Sequence, residues 1–91
     1  VTNNEAEYDT LAAALDDLIA MIRRANRSPN EFTVEIRGDS LLVIEQVRGR
    51  WKTKDERMRE RCERVRALTS QFKRDSLVQH PREQSVNVLG H

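Results

Sequence analysis

The chain has 91 residues, enough for one small domain over residues 1–91, and such a domain buries only about 60% of its unfolded surface. Apolar residues make up 37% of the sequence and charged residues 34%, and their periodic spacing favours a folded domain over a disordered chain. We expect a cytoplasmic protein without membrane attachment, because no apolar run approaches the roughly 20 residues of a membrane helix and no signal pattern opens the chain.

Charge is unevenly distributed along the sequence. Residues 1–47 contain four basic and nine acidic residues, whereas residues 48–66 contain nine basic and four acidic residues. A polyanion would be attracted to the second segment and repelled by the first unless cations bridge the two. The pattern suits a metal-dependent nuclease, and it also suits an amphipathic helix whose basic residues face water.

The first half of the chain predicts a helix and then a strand. Residues 4–26 place apolar side chains at helical spacing after an asparagine that can cap the helix. Residues 27–30 break this pattern. Residues 32–37 then alternate apolar and polar side chains, which predicts a strand that stops at Gly38.

The second half predicts two helices and a second strand. Asp39 or Ser40 can cap a short helix over residues 41–47, with Gly49 as its carboxyl-terminal cap. A third helix begins at Asp55, and its apolar positions include the single cysteine, Cys62, which we expect in the core. Residues 76–80 form a short predicted strand.

This order of helix, strand, helix, helix and strand favours parallel pairing of the two strands, because a long helical crossover joins them. Two strands leave the edges and faces of a sheet poorly covered. We therefore expect the remaining strands to be missing from this chain or to come from a partner.

Four segments, taken together and in order, resemble the ribonuclease H family, particularly the compact domains of some prokaryotic enzymes and retroelements. Residues 2–8 (TNNEAEY) resemble the opening of the family's first helix, and residues 38–43 (GDSLLV) resemble its strand-to-helix turn. Residues 47–58 continue in the family's order, and residues 80–84 (HPREQ) resemble the run before its last helix. The resemblance implies a partial ribonuclease H-like α/β fold that lacks the amino-terminal antiparallel strands.

The same resemblance implies that Glu7 and Asp39 are catalytic metal ligands for Mg²⁺ or Mn²⁺. Two-metal hydrolysis of a phosphodiester needs carboxylates that converge from different elements, and a helix start and a strand end can supply them at one end of a sheet. The implied activity is endonucleolytic cleavage of the RNA strand of RNA/DNA hybrids. Without the resemblance, Glu7 could be a solvent-facing acid in a first helical turn, and Asp39 could be a helix cap.

Two further groups match family positions that contact nucleic acid. The first is a polar run that would read the minor groove of a hybrid, and the second is a basic segment that would contact phosphates beside an aromatic surface. Helix capping by an asparagine and a half-buried tryptophan anchor are the structural alternatives. The residues concerned are Thr2, Asn3, Asn4, Arg50, Trp51 and Lys52.

The sequence also departs from the family pattern. The family has four carboxylates, and the first lies on a strand that has no counterpart here. The pattern of the fourth, laid on residues 82–89, puts Leu89 at the acid, and Leu41 replaces a usual glutamine after Asp-Ser. We therefore expect weak metal binding and little or no cleavage by this chain alone.

The alternative function is non-catalytic. In the family the sheet continues beyond the strand that starts at Phe32, so that strand is predicted to have an open edge that could pair with a second copy in a homodimer. A nucleic-acid binder that uses the basic segment without cleavage is the other non-catalytic possibility.

Overall fold

A computed structural model describes residues 3–80 and 84–89, with Asn3 described by its backbone alone. Three helices pack on a three-stranded sheet, and a short 3-10 turn at Pro29–Glu31 precedes the first strand. The predicted order of the first five main elements is confirmed, and a further strand follows them. The helices are α1 (Asn3–Arg24), α2 (Leu41–Arg48) and α3 (Glu56–Thr69), and the strands are β1 (Thr33–Gly38), β2 (Arg74–Gln79) and β3 (Ser85–Leu89).

Strand β1 lies in the middle of the sheet. It pairs in parallel with β2, where Ile36 is opposite Leu77, and antiparallel with β3, where Ile36 is opposite Val86. Val34 and Ile36 are fully buried, as expected for a central strand covered by helices. The predicted parallel pairing across a helical crossover is confirmed.

The prediction of an open β1 edge is wrong. The edge of β1 that faces away from β2 is paired along Thr33–Arg37 with β3, so it is not available to a second copy. The homodimer predicted through that edge thereby loses its physical basis. The chain itself supplies the third strand that the sequence pattern left unassigned.

Strand β3 also changes the meaning of Leu89. The family's closing pattern had been laid on residues 82–89 as the approach to a helix, but Ser85–Leu89 is extended. Leu89 is opposite Thr33, at the far end of β1 from Asp39. Its side chain therefore does not lie at the end of the sheet where the family pattern would place a carboxylate.

Local capping explains where α2 and α3 begin and end. Ser40 caps α2, because its Oγ accepts a hydrogen bond from the Val43 N–H at 3.2 Å. Gly49 ends α2 in the left-handed conformation at φ 85°, as predicted. Asp55 caps α3 by accepting from the Met58 N–H at 2.9 Å.

The core lies between α1, α3 and the sheet, and α2 closes one side of it. Tyr8 is fully buried and donates a hydrogen bond to Gln46 Oε1 at 2.7 Å. Burial raises the pKa of the Tyr8 hydroxyl above its ordinary range, so Tyr8 stays a donor. Cys62 is buried against the Gln46 carbonyl, which confirms its predicted core position.

None of the helices in the described ranges combines the length and the apolar character that crossing a bilayer requires.

Candidate metal and nucleic-acid site

Glu7 and Asp39 lie at the same end of the sheet. Asp39 directly follows the last residue of β1, and its side chain is exposed. Glu7 projects from the start of α1 onto this turn, where its Oε2 accepts a hydrogen bond from the Ser40 N–H at 3.2 Å. The structure therefore brings the Glu7 carboxylate onto the turn that contains Asp39, which is 32 positions later in the sequence.

Gly38 makes this close approach possible. A Cβ at Gly38 would lie 2.9 Å from Glu7 Oε2 and 3.3 Å from the Cδ1 of Ile44. The first distance is shorter than a van der Waals contact, so any other residue would displace the Glu7 carboxylate. Gly38 is thus a positioning residue for Glu7, a role that its place in a Gly-Asp-Ser turn did not reveal.

Asn4 and Ser40 hold the amino-terminal ends of α1 and α2 together. The Ser40 hydroxyl donates to Asn4 Oδ1 at 2.9 Å while it also accepts from the Val43 N–H. Asn4 lies inside α1, and its carboxamide contacts the turn. Of the two residues that could cap α2, Ser40 does so.

Two glutamines contact the backbone of the candidate ligands, and sequence reasoning missed both. Gln84 Nε2 donates to the Glu7 carbonyl at 3.1 Å, and Gln79 Nε2 donates to the Asp39 carbonyl at 3.4 Å. Neither contact follows from a local periodicity, because each joins residues that only the completed sheet brings close. They fix the backbone on both sides of the site.

The remaining predicted contacts are spread over a neighbouring surface. Asn4 and Lys52 line a cavity of about 260 Å³ beside the first turns of α1. Trp51 is 46% exposed, so it is no more than a half-buried anchor, and with Lys52 it lines a second cavity of about 320 Å³. Arg50 lies 3.7 Å from Glu45. Thr2 is outside the described residues, and so is the side chain of Asn3.

The basic α3 helix is largely neutralised on the side that faces α1. Arg57 pairs with Glu5 at 2.8 Å, Arg61 with Asp9 at 3.1 Å and Arg64 with Asp16 at 2.6 Å. Pairs between exposed side chains, such as Arg64–Asp16, contribute about 0–1 kcal/mol each, whereas the Glu5 side chain is buried. The acidic and basic segments therefore meet each other in the fold, and only part of the basic segment is left to attract a polyanion.

Within residues 3–80 and 84–89, no three His, Cys, Asp or Glu side chains converge as a metal-binding cluster. The two carboxylates at the end of β1 are thus a pair, without a third acid from the described residues. Leu41 is 43% exposed beside this pair, in place of the family's polar side chain.

Comparison with known proteins identifies the family of the chain. A family model described as reverse transcriptase-like matches residues 1–88 of the chain. The chain belongs to the ribonuclease H-like family. Ribonuclease HI from Halobacterium salinarum is 40% identical to this ribonuclease H-like chain over 81 residues, which are 89% of this chain and 37% of that protein. The bifunctional protein Rv2228c from Mycobacterium tuberculosis is 38% identical over 85 residues, which are 93% of this chain and 21% of that protein.

Two solved structures share the fold. The N-terminal RNase H domain of Rv2228c from Mycobacterium tuberculosis, solved as a fusion with maltose binding protein, superposes with a TM-score of 0.76 at 36% identity. RNase H1 from Halobacterium salinarum superposes with a TM-score of 0.72 at 38% identity. Each match covers 90% of this chain and 56% of the other. The predicted ribonuclease H-like fold is confirmed, and this chain spans only part of each relative.

Proposed function

We propose that this chain carries the hybrid-binding surface and half of the metal-binding carboxylates of a ribonuclease H, an endonuclease that cleaves the RNA strand of RNA/DNA hybrids. The observation that carries the proposal is the Glu7 carboxylate, held on the Ser40 N–H beside the exposed Asp39. Similarity to a ribonuclease HI and to two RNase H structures supports the same activity.

The two carboxylates fit a divalent cation. Mg²⁺ prefers hard oxygen ligands, keeps several waters and is often held by one or two carboxylates. Glu7 Oε2 accepts from Ser40, whereas its Oε1 has no partner among the described residues. Glu7 and Asp39 would therefore hold one hydrated Mg²⁺ or Mn²⁺. A bound ion would supply activation of water and stabilisation of the leaving oxygen.

A pair of carboxylates provides about half of the negative charge that the family uses to hold its cations. We therefore propose that the isolated chain binds metal weakly and cleaves hybrids slowly or not at all. Glu7 and Asp39 remain the catalytic candidates, and they would act together with carboxylates that these described residues do not provide.

The surface next to the pair suits an A-like duplex. Asn4 offers an amide that can donate to and accept from 2′-hydroxyls across a wide minor groove. Lys52 and Lys54 line the cavity of about 260 Å³ that Asn4 also lines. Neither lysine makes an ion pair within the described part of the chain. Trp51 supplies an aromatic face beside them. Thr2, Asn3 and Arg50 remain predicted hybrid contacts, and a single partial domain over residues 1–91 and a cytoplasmic location also remain predictions.

The test measures metal binding and cleavage separately. Mn²⁺ titration of the chain should show weak binding that falls at least about tenfold in Glu7→Gln and in Asp39→Asn, since each variant removes one of two charged ligands. Asp17→Asn is the matched control, because it removes an exposed acid from the same helix as Glu7. Equal Mn²⁺ affinity in Glu7→Gln would contradict the site. Normal hybrid turnover by the chain that is lost in Glu7→Gln would contradict the proposed incompleteness.

A second candidate function is hybrid binding without cleavage, and it is favoured by Lys52 and Lys54, which make no ion pair with the described residues. Fluorescence anisotropy with a labelled RNA/DNA hybrid in EDTA should show binding that weakens steeply with salt, because phosphate contacts release counterions. Lys52→Gln with Lys54→Gln should weaken it further. Binding that is insensitive to salt would remove this candidate.

A further inference from the structure

A groove with a cavity volume of about 720 Å³ lies between the carboxyl-terminal ends of α2 and α3 and the start of β2. Four cations and one acid line it, and the remaining lining side chains and backbone are uncharged. The four cations are Arg48, Arg66, Lys73 and Arg74, and the acid is Asp75.

Three of these cations make no ion pair with the described residues. Arg48 is held at the edge of the sheet, because its Nη1 pairs with Glu45 at 3.1 Å and its Nη2 donates to the Leu77 carbonyl. Arg66, Lys73 and Arg74, in contrast, make no ion pair with any residue in the described ranges. This differs from the α1 side of α3, where three arginines are each matched to an acid. Within the described residues, unmatched positive charge is thus present in this groove as well as at Lys52 and Lys54.

The groove is continuous with the surface that carries Trp51. Arg66 lines both the groove and the Trp51 cavity, and its Nη2 lies 3.8 Å from the position that a Cβ of Gly49 would take. An aromatic face next to cations that follow one another along a groove suits a strand of nucleic acid, whose bases stack while its phosphates contact the cations. An acidic protein segment would have no need of the aromatic face.

We propose that Arg66, Lys73 and Arg74 form a second phosphate-binding groove, which holds the backbone of a nucleic-acid strand away from the Glu7–Asp39 pair. Arg74 is opposite Thr33 at the start of β1, whereas Asp39 follows the end of β1. Arg74 is therefore about 20 Å from Asp39 along the strand direction, at ~3.3 Å per strand residue. The inference rests on the proposed function only in taking nucleic acid as the partner, and it does not require a bound metal.

A purely structural role for these cations makes a different prediction. Arg66 lies in the last turn of α3, where a cation favours the helix dipole. If that were its whole purpose, removing it would lower the stability of the chain and leave nucleic-acid affinity unchanged. Affinity and stability must therefore be measured on the same variants.

The experiment compares two double variants with equal loss of charge. Arg66→Gln with Arg74→Gln empties the groove of two cations, whereas Arg27→Gln with Arg64→Gln removes two cations that are paired with Glu31 and Asp16. Affinity for a labelled RNA/DNA hybrid is measured in EDTA over a range of salt concentrations, and thermal unfolding checks that each variant is folded. We expect the groove variant to bind roughly tenfold more weakly and to lower the salt slope by about 2, since each phosphate contact contributes about 0.9.

Equal hybrid affinity and equal salt slope in the two double variants would overturn the proposal that this groove binds phosphates. The proposed function would survive that result if Lys52→Gln with Lys54→Gln still weakened binding. Absence of hybrid binding by the unaltered chain at low salt would overturn both proposals. If the groove variant is less stable but binds the hybrid as well as the control variant, Arg66 only stabilises the end of α3, and the groove proposal is overturned.

Discussion

The two ends of α2 differ in charge and in the reason why each has a glycine. At the amino-terminal end, Gly38 leaves room for the Glu7 carboxylate, which accepts the N–H of the cap residue Ser40. At the carboxyl-terminal end, Gly49 adopts a left-handed φ of 85°, with the guanidinium of Arg66 beside it. The first glycine is required by space and the second by backbone conformation.

The charges at the two ends follow the helix dipole. A carboxylate is favoured near the amino terminus of a helix and a cation near the carboxyl terminus, by about 0.3–1 kcal/mol each. One short helix thus separates the proposed metal site from the proposed phosphate groove. The two proposed sites therefore share α2 as a support, and substitutions at one end of α2 can alter one site without the other.

Destabilising α2, the helix that supports both proposed sites, should have the largest effect on the free energy of unfolding. Ile44 is 1% exposed in the middle of α2, so Ile44→Ala should lower the free energy of unfolding by about 2–5 kcal/mol and weaken both ends together. Urea unfolding measures the loss. Leu41→Ala is the control on the same helix, because Leu41 is 43% exposed and should cost much less. Equal losses in the two variants would mean that α2 is not anchored through Ile44.

Backbone strain at Gly49, at the carboxyl-terminal end of α2, should have an intermediate effect on the free energy of unfolding. Gly49→Ala forces a side chain into the left-handed region and should lower the free energy of unfolding by about 1–2 kcal/mol. Gly49→Asn should cost less, because asparagine tolerates this conformation. Mn²⁺ affinity should be unchanged in both variants. A matching loss of Mn²⁺ affinity would show that the two ends are coupled through the helix.

Adding a side chain at Gly38, next to the amino-terminal end of α2, should change the free energy of unfolding least. Gly38→Ala should cost about 1 kcal/mol or less, since the nearest atom belongs to the mobile end of the Glu7 side chain. The reduced entropy of the unfolded chain offsets about 0.4–1 kcal/mol of this. Mn²⁺ affinity should nevertheless fall, because the Glu7 carboxylate is displaced. In a Glu7→Gln background the same substitution should cause no further fall, and an additive fall would contradict a role through Glu7.

The sequence predicted the elements whose signals are local. The apolar spacing in α1 and α3, the alternation in β1 and the glycine after α2 each depend on near neighbours. Asp39 and Ser40 are both good capping residues, so the choice between them stayed open until the Ser40 hydroxyl was seen to accept from Val43. The resemblance then placed Glu7 and Asp39 together, which local pattern alone could not do.

The sequence did not predict features that depend on distant partners. Strand β3 alternates Val86 and Val88 with polar residues, but the family pattern laid on residues 82–89 indicated the approach to a helix, and only the pairing with β1 identifies the strand. The basic segment was expected to attract a polyanion, and its contact with α1 was missed. The signal was present, because the cations at 57, 61 and 64 and the acids at 5, 9 and 16 each mark one face of a helix.

The position of β1 in the sheet has a consequence for the order of folding. In the described part of the chain, both strands that pair with β1 follow it, and the nearer one begins at Arg74, after α2 and α3. Among the described elements, β1 therefore obtains its hydrogen-bonding partners only from segments that come after α2 and α3. Pairings between residues so far apart in sequence slow the folding of a domain, so we expect sheet formation to be its late, rate-limiting event.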